Sequence, residues 1–495
     1  SKIILSNISG EAKPGEVLAL MGPSGSGKTS LMNVLSGRAA YQDGSISING
    51  KRLGRAEMKN FMSKVAYVKQ QDIFFQSLTV KQQLTYTAQL RISDTIYRKV
   101  ERQKKIKSEV DKILKMLQLE KCADLKIMMC SGGEKKRVNI GSELITNPAV
   151  IMLDEPTSGL DSASSSSLLD ILRDLAKNHG KTIVCSIHQP NSRAFLGFDK
   201  LLMLSEGNVV YFGALDKSLE YLGTEGYPCP PGHNLADHWM ELLVTNEETA
   251  MVLSSRKNLE KAWKHDEMTT TMDTIEEIQL DNNGNGVGEK TSKYKTSWCT
   301  QFTTLLHRAL TKSQVNIFSP VNFFRTVAIG FAVGLVYFNQ KYTEADARNI
   351  YSYFFFTMQF WVVQGMFESI FSFPQERIVI LKERAGANYR LSSYFAAMTI
   401  ADVPMFLLMP FIYMTISFWM VCPVGFGFTI YLSITCIAFL SVMTGQAFGF
   451  LIGAAFDDIQ VGQAVGWVII LFLMLLGGFF VDNIPIWLSF VQYLS

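Results

Sequence analysis

Eight residues, Gly22-Pro23-Ser24-Gly25-Ser26-Gly27-Lys28-Thr29, narrow the choice of fold more than any other stretch of the chain. The apolar run Val17-Leu18-Ala19-Leu20-Met21 precedes them, and the helix-forming run Ser30-Leu31-Met32-Asn33-Val34-Leu35 follows. Strand, glycine-rich loop and helix, in that order, are the context a phosphate-binding loop requires. The glycines let successive backbone N–H groups turn inward around phosphate oxygens, where a side chain would block close approach. The helix N-terminus adds its partial positive charge at the same spot. Lys28 can reach the outer phosphates as a point charge, and the Thr29 hydroxyl suits Mg²⁺.

A second apolar run, Val150-Ile151-Met152-Leu153, ends in Asp154-Glu155. An aspartate at the carboxyl end of a strand beside a phosphate loop is placed to hold Mg²⁺. Glu155 would then face the terminal phosphate and polarise the attacking water as general base. Taken alone, a strand that happens to end in two acids explains the pair equally well. Four further segments bear on the choice. Gln70 follows the short strand Tyr67-Val68 and can reach the metal or the water. Ser131-Gly132-Gly133-Glu134 opens a helix and forms a second anion-binding N-terminus. Thr157-Ser158-Gly159-Leu160-Asp161 follows the acidic pair, and His188 ends another strand.

In this order the six segments resemble the nucleotide-binding domain of ABC transporters. They match its Walker A loop, Q-loop, signature, Walker B strand, D-loop (Asp161) and switch histidine. The resemblance implies ATP and Mg²⁺ as cofactors. It puts Gly22 to Thr29 and Ser30 on ATP, Thr29, Gln70 and Asp154 on the metal, and Glu155, His188 and Gln70 in catalysis. It also implies that Ser131, Gly132, Gly133 and Glu134 act in trans, on ATP held by a second subunit. One set of motifs is present, so the chain reads as a half transporter that pairs with another. Two departures stand out. Cys130 replaces the large aliphatic residue that opens the family's signature, a packing position. The family's adenine-stacking aromatic falls ahead of Ser1, and Tyr41 and Tyr67 are read as core or surface residues.

The net charge of +3 gives no sign of nucleic acid as a partner, while 48% hydrophobic residues point to membrane segments. Seven cysteines show no paired or metal-type spacing, which fits a reduced cytosolic domain without a disulfide framework. The basic run from Arg98 to Lys105 reads as a solvated face. Leu201–Leu204 and Val209–Phe212, split by Glu206-Gly207, signal a hairpin. The polar stretch from Thr269 to Ser297 reads as a linker.

Trp298, Phe302, Leu305, Leu306 and Leu310 then recur at helical spacing, with Arg308 and Lys312 off the stripe, as in a helix lying in the membrane interface. Five apolar runs follow, at roughly 319–338, 351–373, 394–421, 427–454 and 463–481, each near the length of about 20 residues that crosses a bilayer. The connection from Pro374 to Ser393 carries Arg377, Lys382, Arg384 and Arg390, which places it in the cytosol with the ATPase domain. Asp402, beside Pro404, is expected at the inner end of its span, facing water.

An ATPase domain that precedes its membrane domain resembles the G (White) subfamily, as do Asn234-Leu235-Ala236-Asp237 and Tyr389-Arg390-Leu391-Ser392-Ser393-Tyr394-Phe395. Leu235 and His238 depart from the first of those motifs. The subfamily has six spans, and this sequence ends where the external loop before the last is expected. The expected architecture is an α/β P-loop NTPase (ABC ATPase) domain over 1–245, a linker over 246–297, an interfacial connecting helix over 298–313 and an all-α polytopic transmembrane domain over 314–495. The resemblance implies an ATP-driven exporter of amphipathic or lipid-like compounds, with membrane lipid and a second half transporter as partners. A gated channel or a regulatory subunit is the alternative. The cytosolic loop around Glu383 and Arg384 is expected to couple the two domains. Phe360 and Trp361, with Phe479 and Phe480, are read as substrate pathway, although such aromatic stripes also serve helix packing.

Overall fold

The computed structural model describes residues 3–49, 51–52, 65–188, 190, 195–245, 294–317, 320–341, 343–422 and 427–476. The chain divides into two compact units, Ser1–Thr296 and Ser297–Ser495.

In the first unit, in chain order, are β1 (Val17–Met21), α1 (Lys28–Leu35), β2 (Ser47–Ile48), β3 (Lys51–Arg52), β4 (Val65–Val68), α2 (Val80–Arg91), α3 (Lys99–Met116), α4 (Gly132–Leu144), β5 (Val150–Asp154), α5 (Ser162–Lys177), β6 (Thr182–Ser186), β7 (Lys200–Ser205), β8 (Asn208–Ala214), α6 (Lys217–Thr224) and α7 (Leu235–Thr245). The main sheet runs β4-β5-β6-β1-β7-β8, parallel except for the antiparallel β7–β8 hairpin. Glu206 and Gly207 both adopt positive φ, 47° and 78°, the pair of left-handed residues a two-residue hairpin turn needs. Every residue of β1 is buried, as expected of a central parallel strand covered on both faces. Its alternation splits the core. Val17, Ala19 and Met21 join Ile151, Leu153, Ile183 and Leu168 on one face. Leu18 and Leu20 join Met152, Val184 and Leu31 on the other.

Asn234 opens α7 as a side-chain cap, its Oδ1 accepting the Ala236 N–H (3.2 Å) and its Nδ2 donating to Asp237 (3.0 Å). The Leu235 and His238 departures therefore leave this function intact. His238 contacts the Tyr227 carbonyl at 3.2 Å.

The second unit is helical: α8 (Trp298–Ile317), α9 (Pro320–Val336), α10 (Glu344–Ala385), α11 (Leu391–Val421), α12 (Phe428–Ala455) and α13 (Ile459–Leu476). By length and composition α11 and α12 can each cross a membrane, and α9 and α13 are shorter apolar helices. The α10–α12 crossing depends on glycine. A Cβ on Gly445 would lie 2.1 Å from the Val362 carbonyl oxygen, and one on Gly449 2.3 Å from that of Met366. Small residues four apart let the two backbones touch, the usual means of helix association where no hydrophobic effect acts between helices.

Three sequence expectations are corrected here. The segment from Pro374 to Ala385, expected as a loop, is helix. At 1.5 Å per residue α10 is about 63 Å long, far more than a bilayer core, so its charged end extends the helix beyond the apolar layer. Pro374 removes one backbone N–H but does not end a helix held by packing on α12. Arg308, expected off the buried stripe, is only 5% exposed, and Gln301, Thr304 and Leu305 are buried with it. Asp402 is also half-buried rather than facing water, and accepts a hydrogen bond from Gln446 Nε2 at 3.2 Å.

Candidate nucleotide site

The loop between β1 and α1 is shaped by what cannot fit. Gly22 has φ 147°, and a Cβ there would lie 2.0 Å from the Leu204 carbonyl oxygen. Lys28 starts α1 and folds back, its Nζ donating to the carbonyls of Gly22 (2.7 Å) and Pro23 (2.8 Å). Burial pushes the Lys28 ammonium below its ordinary pKa, and the nearby Glu155 and Asp154 charges oppose the shift. Ser26 Oγ is buried inside the loop with no hydrogen-bond partner among the described residues. An orphaned hydroxyl in a cradle open only to glycine fits a phosphate, whose oxygens would satisfy it and draw Lys28 off its own loop carbonyls. Ser24 and Gly25 form the exposed tip, and Gly27, Thr29 and Ser30 continue the loop into α1.

Thr29 Oγ1 donates to Asp154 Oδ2 at 3.3 Å, so the two hard oxygen donors expected at the metal lie side by side. An oxygen-only donor pair of this kind fits Mg²⁺. Register then builds the catalytic edge. Asp154 at the end of β5 is paired with Ser186 at the end of β6. Ser186 Oγ donates to Asp154 Oδ1 (2.6 Å) and accepts the Glu155 N–H (2.9 Å), holding the acidic pair by one hydroxyl. Glu155 sits at φ 44°, a conformation rare for a non-glycine residue and characteristic of sites where a side chain is aimed for use. Gln70 Nε2 donates to Glu155 Oε2 at 2.7 Å. His188 lies two residues beyond Ser186 on the same edge, exposed. Burial and Asp154 together raise the Tyr67 pKa to about 12, and the Arg38 guanidinium stacks 4.3 Å above the Tyr67 ring. Tyr67 is a core residue.

Sequence reasoning missed what anchors Gln70. Lys136, 2% exposed, donates to the Gln70 carbonyl (2.6 Å) and pairs with Asp72 (3.1 Å), which also accepts from Asn139 (2.8 Å). In the sequence Lys136 sits in the run Glu134-Lys135-Lys136-Arg137, where nothing local sets it apart from its charged neighbours. The one available signal was Asp72, two residues after Gln70.

Ser131 caps α4. Its Oγ accepts the Glu134 N–H (3.3 Å), and Glu134 Oε2 accepts the Ser131 N–H (2.8 Å), a reciprocal capping box. Gly133 faces α5, where a Cβ would lie 3.1 Å from Ser164 Cβ. Gly132 is exposed. Asp161 caps α5 by accepting the Ser164 N–H (3.1 Å), and hydrogen bonds from the Ser164 side chain first and its N–H second hold the carboxyl below the usual range. Among the described residues, no hydrogen bond or ion pair joins Ser131, Gly132, Gly133, Glu134 or Asp161 to the Lys28 loop.

In the helical unit, Glu383 is buried in the last turn of α10, held by both Arg308 nitrogens (2.7 and 3.1 Å) and by Tyr389 Oη (2.7 Å). Glu376, about two turns earlier on the same face of α10, pairs with Lys312 and accepts from Tyr394 Oη. Arg390 N–H and Ser393 Oγ share the Gln301 side chain, and Trp298 Nε1 donates to Ser392 Oγ. The Tyr389–Tyr394 motif is therefore a hub joining α8, α10 and α11. Arg384 is exposed beside it. Arg377 pairs with Asp457, which puts the turn after α12 at the same end of the bundle as the end of α10. Phe360 stacks on Tyr413 (5.9 Å) and Trp361 meets Tyr413 edge-on (5.7 Å), both lining a small cavity with Arg325 and Glu368. Phe479 and Phe480 lie outside the described residues.

Comparison with known proteins adds four findings. The ABC transporter family profile matches residues 5–158, and the ABC-2 type transporter profile residues 300–495. ABC transporter G family member 21 of Arabidopsis thaliana is 34% identical over 100% of this chain and 76% of its own length. Protein white of Drosophila melanogaster is 31% identical over 100% of this chain and 73% of its own length.

Proposed function

Since the chain belongs to the G family of ABC transporters, a membrane exporter whose ATPase domain couples ATP hydrolysis to transport, we propose that two such half transporters pair to move amphipathic or lipid-like compounds across the bilayer. Glu155 is the general base. The single observation that carries this reading is the Gln70–Glu155 hydrogen bond, because it holds one carboxylate oxygen and leaves the other to accept a proton from water. Thr29 and Asp154, with Gln70 nearby, would hold Mg²⁺, which when bound would neutralise charge at the transferring phosphoryl group. Lys28 and the Gly22–Gly27 amides bind and orient the phosphates, and His188 meets the terminal phosphate from the β6 edge. Ser186 keeps Asp154 and Glu155 in fixed relation, and Lys136 ties the Gln70 segment to α4, so the site registers movement of that helix.

The capping box supports the trans role of the signature. With its first turn internally closed and unconnected to its own Lys28 loop, α4 offers its N-terminus outward, to ATP on a second subunit. The apolar character of α9 to α13 supports a hydrophobic or amphipathic substrate, and Phe360 and Trp361 are proposed as part of its path. The retained Glu155 and His188 favour a pump over a gated channel or a regulatory subunit.

The test is Glu155→Gln in vesicles loaded with a labelled lipid and drug panel. The amide still accepts from Gln70 but is no base, so ATP binding persists while turnover and ATP-dependent uptake fall by about 10²-fold or more. Turnover within a few-fold of wild type removes Glu155 from this role. Failure of every lipid and amphipathic probe, with ATPase activity intact, removes the substrate class.

A further inference from the structure

Behind the first turn of α4 the fold gathers two thiols and a carboxylate whose spacing in the sequence, eight and then four residues, matches no standard metal motif. Cys122 ends the one-turn 3₁₀ helix Glu120–Cys122, and Cys130 closes a second, Ile127–Met129. Both are buried, 2% and 6% exposed, whereas Glu134 reaches partly into solvent. Their sulfur atoms and a Glu134 carboxylate oxygen all lie within 4.8 Å of one another. Cys130 was read as a packing residue, but packing alone does not place a second thiol and a carboxylate against it.

We propose that Cys122, Cys130 and Glu134 bind a thiophilic divalent cation of the Zn²⁺ class, with water in the fourth position. Two sulfur donors and one carboxylate select against Mg²⁺ and Ca²⁺, which take oxygen ligands, and suit a tetrahedral Zn²⁺. With sulfur at about 2.3 Å and oxygen at about 2.0 Å, a tetrahedral ion spaces its ligand atoms about 3.5 Å apart, so closing on it needs a contraction of at most about 1.3 Å. The thiols have little to give up. Cys122 Sγ donates to the Leu119 carbonyl at 3.4 Å and Cys130 Sγ to that of Lys126 at 3.6 Å, both weak bonds from weak donors. Each thiol passes its proton to water as its sulfur–metal bond forms. Glu134 uses Oε2 on the Ser131 N–H and has a second oxygen for the ion, so ligation and the capping box are compatible. Neighbouring thiols in a cytosolic domain are a metal-binding pattern more often than a disulfide, and binding needs no oxidant. An ion here fastens the cap of the signature helix to the core behind it.

Co²⁺ is the probe, added to the purified full chain kept reduced with a phosphine, in a Cys299→Ser/Cys436→Ser background that removes the exposed thiols. One equivalent should produce a sulfur-to-cobalt charge-transfer band and the intense visible bands of a tetrahedral site, both displaced by Zn²⁺. Cys122→Ser and Cys130→Ser should each abolish the charge-transfer band or reduce it to that of a single sulfur. Should those variants not fold, Glu134→Gln decides the matter. Gln keeps the capping acceptor but loses the anionic ligand, so Co²⁺ affinity should fall at least about tenfold. No charge-transfer band in the starting protein overturns the proposal. So does a band that survives unchanged in a folded Cys122→Ser chain, or an affinity that Glu134→Gln does not move.

Discussion

Replacing Arg308 by methionine separates two views of the connecting helix. Were the Arg308–Glu383 pair solvated, as a charged loop suggests, it would contribute about 0–1 kcal/mol. Instead Arg308 is 5% and Glu383 8% exposed, and the carboxylate takes both guanidinium nitrogens and the Tyr389 hydroxyl. Arg308→Met leaves a buried carboxylate with one neutral donor, and losing one member of a buried pair costs about 3–5 kcal/mol. Glu383→Leu strands the guanidinium at a similar cost. The double variant removes both charges and leaves the neutral Tyr389 hydroxyl without its acceptor, a loss of about 1–3 kcal/mol. Each single variant should therefore be less stable than the double. For a unit of this size each kcal/mol corresponds to about 2–4 °C, so the singles should melt about 6–20 °C below the parent chain. The measurement is thermal unfolding of the detergent-purified protein across the four-member cycle. Single variants within about 1 kcal/mol of the parent, with an additive double, would refute the buried-pair reasoning.

Gly22→Ala should cost about 3 kcal/mol or more and lower the yield of folded protein, because its Cβ meets the Leu204 carbonyl oxygen at 2.0 Å. Normal yield and ATP binding would show that the loop relaxes freely. Gly449→Leu should separate α10 from α12 and depress folding in the membrane, read by protease protection, while Gly427→Leu, which has open space around it, should not. The trans role of the signature is read from forced pairs. A Lys28→Ala subunit fused to a Ser131→Arg subunit concentrates both lesions in one composite site and should retain ATPase activity. Both lesions in one subunit beside an intact partner should abolish it, and equal activities would remove the trans assignment.

The order of the two domains, the phosphate loop, the strand ends that carry Asp154 and His188 and the positions of the apolar helices were legible in the sequence, because each is a local pattern. An alternating or near-continuous apolar run, a glycine at a forced φ and a capping Ser131 with Glu134 three residues on are written within a few residues of one another. Long-range partners are not. The bond from Ser186 to Asp154 spans 32 residues, that from Gln70 to Glu155 spans 85, and that from Arg308 to Glu383 spans 75. Each depends on strand register or helix packing that no local window contains. The burial of Lys136, Arg308 and Glu383 is hidden for the same reason, since a charge among charges looks alike whether it meets water or a buried partner. Pro374 misled in the opposite direction, because a residue that ends an isolated helix does not end one held by packing against α12. Cys122, Cys130 and Glu134 are close in the sequence, yet their meeting is not legible there either, because two short 3₁₀ turns fold the chain back and bring together donors whose spacing announces nothing.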